Sequence, residues 1–430
     1  MSRIAFIGAG SVVFTRKLLR DILEFPALRD VSIALHDIDP ERLATAEAMA
    51  RATAAELGAT PTITCHTDRR GALEGADYVL NMVQIGGHPA TLVDFSIPAR
   101  HGLRQTIADT LGIGGIFRAL RTAPHMLALG REMAELCPEA WLLNYTNPMA
   151  MLCWITYGGT PTSKVVGLCH SVQYTIEQLS EFVGVPEAEV DFNSAGLNHQ
   201  AFILRFEHNG VDLYPRLAAR FAADPELQRR VRVEIYRRFG YFPTESSEHG
   251  AEYVPWFMHD QAQIDRYRIP VDEYIRRSEE NLVEYETVRT ALARGELPAI
   301  PRSNEYAADI IHAMETGQPA VIYGNVRNDG LLTGLPDGSC VEVACDVGAN
   351  GLRPRAVPGY PSQLAALNRT FGNVVEMTVR AVLEQRRDHV YHAALLDPNA
   401  AASLSVDEIG AVCDELFDAH ADALRPLELR

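Results

Sequence analysis

The rhythm of apolar and helical stretches over the first 195 residues limits this chain more than any other feature. Short apolar runs at residues 4–7, 31–36, 78–82, 141–144 and 165–168 read as buried strands, with helical stretches between them. Strand and helix in alternation predict βαβ units and a parallel, doubly wound sheet. The texture changes after Asp191. Runs at 201–206 and 211–214 flank Asn209-Gly210, a strong hairpin turn. A second part of mixed α and β character is expected from there, with helices at 226–239, 304–315 and 364–385 and a turn-rich strand region at 321–344. The expected division is therefore 1–195 for the doubly wound domain and 196–430 for the rest.

At 430 residues and 47% hydrophobic content the chain can bury a sizeable core. A net charge of −17 argues against nucleic acid or an anionic membrane as partner, because phosphate contacts need clustered Lys and Arg. Only Lys17 and Lys164 are lysines, so the arginines read as compositional bias. The first residues run straight into a strand without the features of an export signal. No apolar run reaches the roughly 18–20 residues that span a bilayer. Seven cysteines without clustered spacing suit a reducing compartment. The cytoplasm is the expected location.

Gly8-Ala9-Gly10-Ser11 follows the first strand and precedes an amphipathic stretch at 17–25. Strand, glycine turn and helix N-terminus place backbone N–H groups where a pyrophosphate can sit, although Val13 occupies the third glycine position of the usual fingerprint. Glycines there also serve conformation alone. Asp37, ending the second strand, can accept hydrogen bonds from a ribose and would repel a 2′-phosphate, which favours NAD over NADP. The expected cofactor contacts are Gly8, Gly10, Ser11, Val12 and Asp37.

Cys169 sits at the carboxyl end of the strand at 165–168, with Ser171 placed to cap the next helix, in the crevice where open α/β sheets bind ligands. A thiolate from Cys169 and an imidazole from His199 would leave coordination positions open, as in a catalytic site. A lone Cys also fits an inert core position. Asp109 lies in a polar, then glycine-rich loop that permits close approach to a ligand and could orient a hydroxyl or carry a proton; a helix N-cap is the other reading. Asn147 precedes Pro148 and is held extended, so its amide could face the crevice or form a plain turn. Residues 236–253, which include Tyr236, Tyr241, Glu248 and His249, are dense in ionisable groups and read as a substrate wall or a solvated loop.

Taken together, FIGAGS at 6–11, HGLRQTIADT at 101–110, GLCHSV at 167–172, TESSEH at 244–249 and YGNVRNDG at 323–330 resemble family four of the glycoside hydrolases, nearly end to end. The tetrapeptide from Cys169 to Val172 is similar to that of the α-galactosidases of melibiose breakdown; the 6-phosphoglycosidase branch has Asp or Asn where this chain has His170. The resemblance implies a lactate/malate dehydrogenase-like sheet, NAD, and Mn²⁺ or a similar ion held by Cys169 and His199. It also implies a mechanism outside the two-carboxylate scheme. Hydride transfer from sugar C3 to NAD⁺ makes a ketone that the metal polarises, the C2 proton becomes acidic, the C1 oxygen leaves, water adds, and the hydride returns. Tyr241 or Tyr236 stands near the base position, and His170, with Asp109 assisting, takes the place of the acid. Substrate contacts are expected from Asn147, Asn198, Glu248 and His249. The expected partners are a small glycoside and further copies of the chain, as a homodimer or homotetramer.

Two other classes compete. A hydroxyacid dehydrogenase shares the sheet plan and an Asn-Pro turn, but its Gly-Glu-His-Gly-Asp type histidine loop has no counterpart in this chain. A non-catalytic NAD-sensing module would have no need of Cys169, His199 and an ionisable loop together. Within the family, an α-galacturonidase or α-glucuronidase is the alternative substrate reading.

Overall fold

A computed structural model describes residues 2–430. Its parallel half is built from β1 (Arg3–Ile7), β2 (Ser32–His36), β3 (Thr62–His66), β4 (Tyr78–Asn81), β5 (Trp141–Asn144) and β6 (Val165–Leu168). They lie in the order β3-β2-β1-β4-β5-β6, all parallel. That is the doubly wound order, whose switch point falls between β1 and β4. β1 and β4 expose almost nothing, because helices cover both faces of the sheet. β3 was not apparent in the sequence. It is the edge strand, half-exposed, and its Thr-Ile-Thr-Cys-His run is too polar to read as buried.

The sheet does not stop at β6. It continues through β7 (Val190–Leu197), β8 (Gln200–His208), β9 (Val211–Asp212), β10 (Phe242–Pro243), β11 (Ala320–Arg327), β12 (Cys340–Gly348) and β13 (Gly351–Pro354). β11 docks antiparallel on β6, pairing Gly324 with Leu168 and Asn325 with Gly167, and β12, β7, β8 and β10 follow outward. Residue 195 therefore lies inside β7, within one continuous 13-stranded sheet.

The Asn209-Gly210 hairpin forms, with φ of +52° and +75°. Its return strand ends at Asp212 rather than at residue 214, because the Asp212 carboxylate accepts from the Tyr214 N–H and starts the helix Tyr214–Ala223. The expected helix at 226–239 is a short 3-10 turn followed by the helix Val231–Phe239; those at 304–315 and 364–385 are Ala307–Thr316 and Ser362–Leu383. The 22-residue helix Glu273–Arg294 was not apparent in the sequence: it buries only Ser278 and Val288, so it carries almost no apolar stripe.

His125, in the helix Gly112–Leu136, gives a pH-dependent link beneath the crevice. Its Nε2–H donates to Asn81 Oδ1 (3.0 Å) and its Nδ1 accepts from Arg69 (3.0 Å). Burial, then Arg69, lowers its pKa from 6.5 to about 3. Protons therefore bind the unfolded chain more readily than the folded one. The stability this group contributes is complete above pH 6.5 and is lost as pH falls toward 3. Between pH 7 and 5 it should amount to about 2 kcal/mol. Urea unfolding at both values checks this, with a smaller drop expected in His125→Gln.

Candidate functional site

The glycine turn after β1 is built by the backbone. The N–H groups of Gly8 and Ala9 both donate to His36 O (3.0 and 2.9 Å), which folds the chain back over the end of β2. Gly8 has φ +88°. Gly10 donates its N–H to Asp37 Oδ2 (2.8 Å), and a Cβ on Gly10 would lie 2.4 Å from that oxygen. Only glycine fits there. The helix Val12–Glu24 begins at once, with Ser11 exposed and Val12 buried. Each Asp37 oxygen keeps a second acceptor position beyond its bonds to Gly10 and Asp39. Turn, helix N-terminus and carboxylate thus fit a dinucleotide.

Three segments meet beyond β6. Cys169 follows that strand; His199, at φ +62°, sits in the tight turn between β7 and β8; Glu245, at φ +69°, follows β10. Their ligand atoms lie within 4.8 Å of one another, with Cys169 Sγ 3.9 Å and His199 Nε2 3.7 Å from Glu245 Oε2. Burial, then Glu245 and Glu342, pushes the Cys169 thiol up, and burial lowers His199 to about 4. A thiol, an imidazole and a carboxylate packed together are a donor set suited to a borderline transition ion, whose binding would release the thiol proton.

Behind this cluster lies a chain of charges. His249 Nδ1 is 3.3 Å from Glu245 Oε1, and its Nε2 is 3.6 Å from Asp109 Oδ1. Burial alone would lower His249, but Glu245 and Asp109 outweigh it and raise the imidazole to about 9. Although burial opposes ionisation, His249 in turn holds Asp109 well below the usual carboxylate range. Asn147 Nδ2 donates to Asp109 Oδ2 (3.1 Å), and Asn147 Oδ1 is buried without a partner. The loop bearing Asp109 is pinned by Glu252, whose carboxylate accepts from the N–H groups of Thr106, Ile107 and Ala108.

Some expectations need revision. The segment before the Asp109 loop is the helix Gly87–Arg100, and Gly112, Gly114 and Gly115 open the helix Gly112–Leu136. A Cβ on Gly114 would meet Asp94 O at 2.8 Å and one on Gly115 the Thr110 backbone at 3.0 Å, so these glycines serve protein packing rather than ligand approach. Ser171 is the first residue of the helix Ser171–Val183 and makes no cap bond; His170 is the N-cap. His170 is half-exposed and donates from Nδ1 to Glu305 Oε1 (3.1 Å). Tyr236 stacks on Tyr214 and packs against Phe221 and Phe242, in an apolar cluster. Tyr241 lies five residues further along, immediately before β10. Asn198 is fully buried beside Glu342, and Glu248 lines a cavity of about 430 Å³ with Arg230, Arg232 and Gln178. Glu245, Thr110, Glu252 and Glu305 were not singled out from the sequence; the one signal for Glu245 was its place in TESSEH.

A sequence profile described as "Family 4 glycosyl hydrolase" matches residues 3–185, and one for the "Family 4 glycosyl hydrolase C-terminal domain" matches residues 194–400. The chain belongs to glycosyl hydrolase family 4. Family 4 relatives similar to it include an α-galactosidase of Bacillus subtilis (strain 168), 43% identical over 99% of both chains. Another is an α-galactosidase of Rhizobium meliloti (strain 1021), 36% identical over 97% of this chain and 88% of the relative. A 6-phospho-α-glucosidase from gut microorganisms, crystallised with NAD and Mn²⁺, shares the fold at a TM-score of 0.83, 20% identity and 98% coverage of both chains. Among the described residues no helix is long and apolar enough to cross a membrane.

Proposed function

We propose that this family 4 enzyme hydrolyses α-galactosides with NAD and a divalent ion such as Mn²⁺. The observation that carries the reading is that Cys169, of the Cys169, His199 and Glu245 donor group, follows β6 at the same carboxyl end of the parallel strands as the glycine turn after β1 and Asp37 after β2. The 43% identity to an α-galactosidase over nearly the whole chain supports the glycone. Gly8, Gly10, Ser11, Val12 and Asp37 would hold the dinucleotide, and Cys169, His199 and Glu245 the ion. When bound, these groups supply a hydride acceptor that returns its hydride and a Lewis acid for the sugar oxygens.

The side chains do the proton work. Burial would lower the His170 imidazole, but the hydrogen bond and charge of Glu305 outweigh it and raise its pKa, so His170 is the proposed donor of a proton to the leaving glycosidic oxygen. Tyr241 is the proposed base at sugar C2, because Tyr236 is engaged in apolar packing. Asn147 Oδ1, buried without a partner, and the Asp109–His249 pair are proposed to orient sugar hydroxyls, and Glu248, which lines a cavity with Arg230 and Arg232, to meet the aglycone. Asn198 backs the cluster. We place the enzyme in the cytoplasm, supported by its seven free cysteines. We also propose that exposed Leu282 and Val283 pack against a second copy, in a dimer or tetramer.

Hydrolysis of a nitrophenyl α-galactoside in D₂O tests the function. The expected result is a requirement for NAD⁺, no stoichiometric NADH, and deuterium at C2 of the released galactose. Turnover without NAD⁺ and without a C2 isotope effect would overturn it. A separate expectation concerns Asp37→Ala, which removes a charged acceptor worth roughly 1.5–3 kcal/mol. NAD⁺ should bind roughly 10- to 100-fold more weakly, and its margin over NADP⁺ should narrow, as cofactor titration will read.

A further inference from the structure

The hydrogen atoms around Thr110 can be assigned from acceptor chemistry alone. Thr110 Oγ1 lies 3.0 Å from Asp109 Oδ1 and 3.1 Å from His199 Nδ1. The Asp109 carboxylate accepts from Asn147 Nδ2 at 3.1 Å and stands 3.6 Å from His249 Nε2, so it is surrounded by donors and serves as an acceptor. The hydroxyl of Tyr253, which also faces Thr110, can donate, whereas Asp109 can only accept, so the single hydroxyl hydrogen of Thr110 goes to Asp109. A hydroxyl that has spent its hydrogen can only accept from the imidazole, so the hydrogen of the neutral ring sits on Nδ1. That leaves Nε2, the nitrogen facing Glu245 at 3.7 Å, with its lone pair free. All three side chains are buried, and bulk water does not compete for these bonds.

We infer that Thr110 is a positioning residue which, backed by Asp109, locks His199 in the tautomer that presents Nε2 to the divalent ion. The inference rests on the metal reading above. Outer partners of this kind fix ring orientation and ligand basicity, and their loss typically costs roughly 10- to 100-fold in metal affinity. His199 sits at φ +62° in a two-residue turn, and its ring meets His249 edge-on at 4.5 Å, a packing contact that does not choose between the two ring nitrogens. The hydroxyl of Thr110 thus selects between two otherwise similar tautomers.

The test compares Mn²⁺ binding to chelator-stripped full-length chain, followed by electron paramagnetic resonance, in wild type, Thr110→Val and Thr110→Ser. Thr110→Val keeps the shape and removes the hydroxyl; Thr110→Ser keeps the hydroxyl. The expected result is Mn²⁺ affinity roughly 10- to 100-fold weaker in Thr110→Val, near wild type in Thr110→Ser, with unchanged circular dichroism in both. Equal affinity in wild type and Thr110→Val would overturn the lock while leaving the metal site standing. Equal weakening in both variants would also overturn it, since the hydroxyl would not be what matters. Mn²⁺ affinity that is the same in Cys169→Ser as in wild type would overturn the metal reading and the lock together.

Discussion

Cys169→Ser should abolish metal retention and lower α-galactosidase activity by on the order of 10³-fold or more while leaving the fold intact. A Lewis acid is worth several kcal/mol of charge stabilisation, and each 1.4 kcal/mol is about tenfold in rate. Serine replaces sulfur with a smaller, harder atom whose proton is not released at neutral pH, so it is a poor ligand in a set otherwise made of imidazole and carboxylate. Little packing is lost, because Cys169 touches the cluster rather than filling the core behind it. Metal analysis after dialysis, paired with circular dichroism, reads both halves. Chelator-treated wild type should show the same loss but recover with added Mn²⁺, which the variant should not. Full metal content and activity in Cys169→Ser would reduce the residue to packing.

The largest effect on stability is expected at Asp94. Its carboxylate takes both arms of Arg121 (2.9 and 2.5 Å) and His420 Nε2 (2.8 Å), with the Arg and Asp side chains only 1% and 3% exposed. Its backbone oxygen also accepts from Gln105 (3.1 Å), at the start of the loop that carries Asp109. Asp94→Ala strands a guanidinium with no route to water, which costs about 3–5 kcal/mol. Replacing both partners by apolar groups removes the orphan charge, so Asp94→Ala with Arg121→Met should be more stable than Asp94→Ala alone. Urea unfolding of the three chains measures the difference. Equal stability of single and double variants would show that the charge is not what holds the helices Gly87–Arg100 and Gly112–Leu136 together.

The strands that position both binding sites were legible because they are buried on two faces. Residues 4–7, 141–144 and 165–168 leave no polar alternation to confuse the reading. Edge and surface elements were not: β3 and the helix Glu273–Arg294 have too little apolar surface to leave a periodic trace. Asp37, Cys169 and His199 stand out by their place at strand ends or by motif. Glu245, Thr110 and Glu252 act through contacts made across long stretches of chain, which no local pattern records. The glycines after Asp109 misled for the same reason, since their close neighbours are Asp94 and Thr110 rather than a ligand.

The docking of β11 on β6 bears on how this enzyme is made. Asn325 donates to Gly167 O across 158 residues of chain. At synthesis rates of roughly 5–20 residues per second, β6 emerges from the ribosome about 10–30 s before the strand that covers it. For that interval an apolar parallel sheet presents a bare edge, the feature that invites pairing with other chains. Variants that slow translation between residues 168 and 325, or delay folding there, should lower yield in the cell even where the finished enzyme is as stable as wild type.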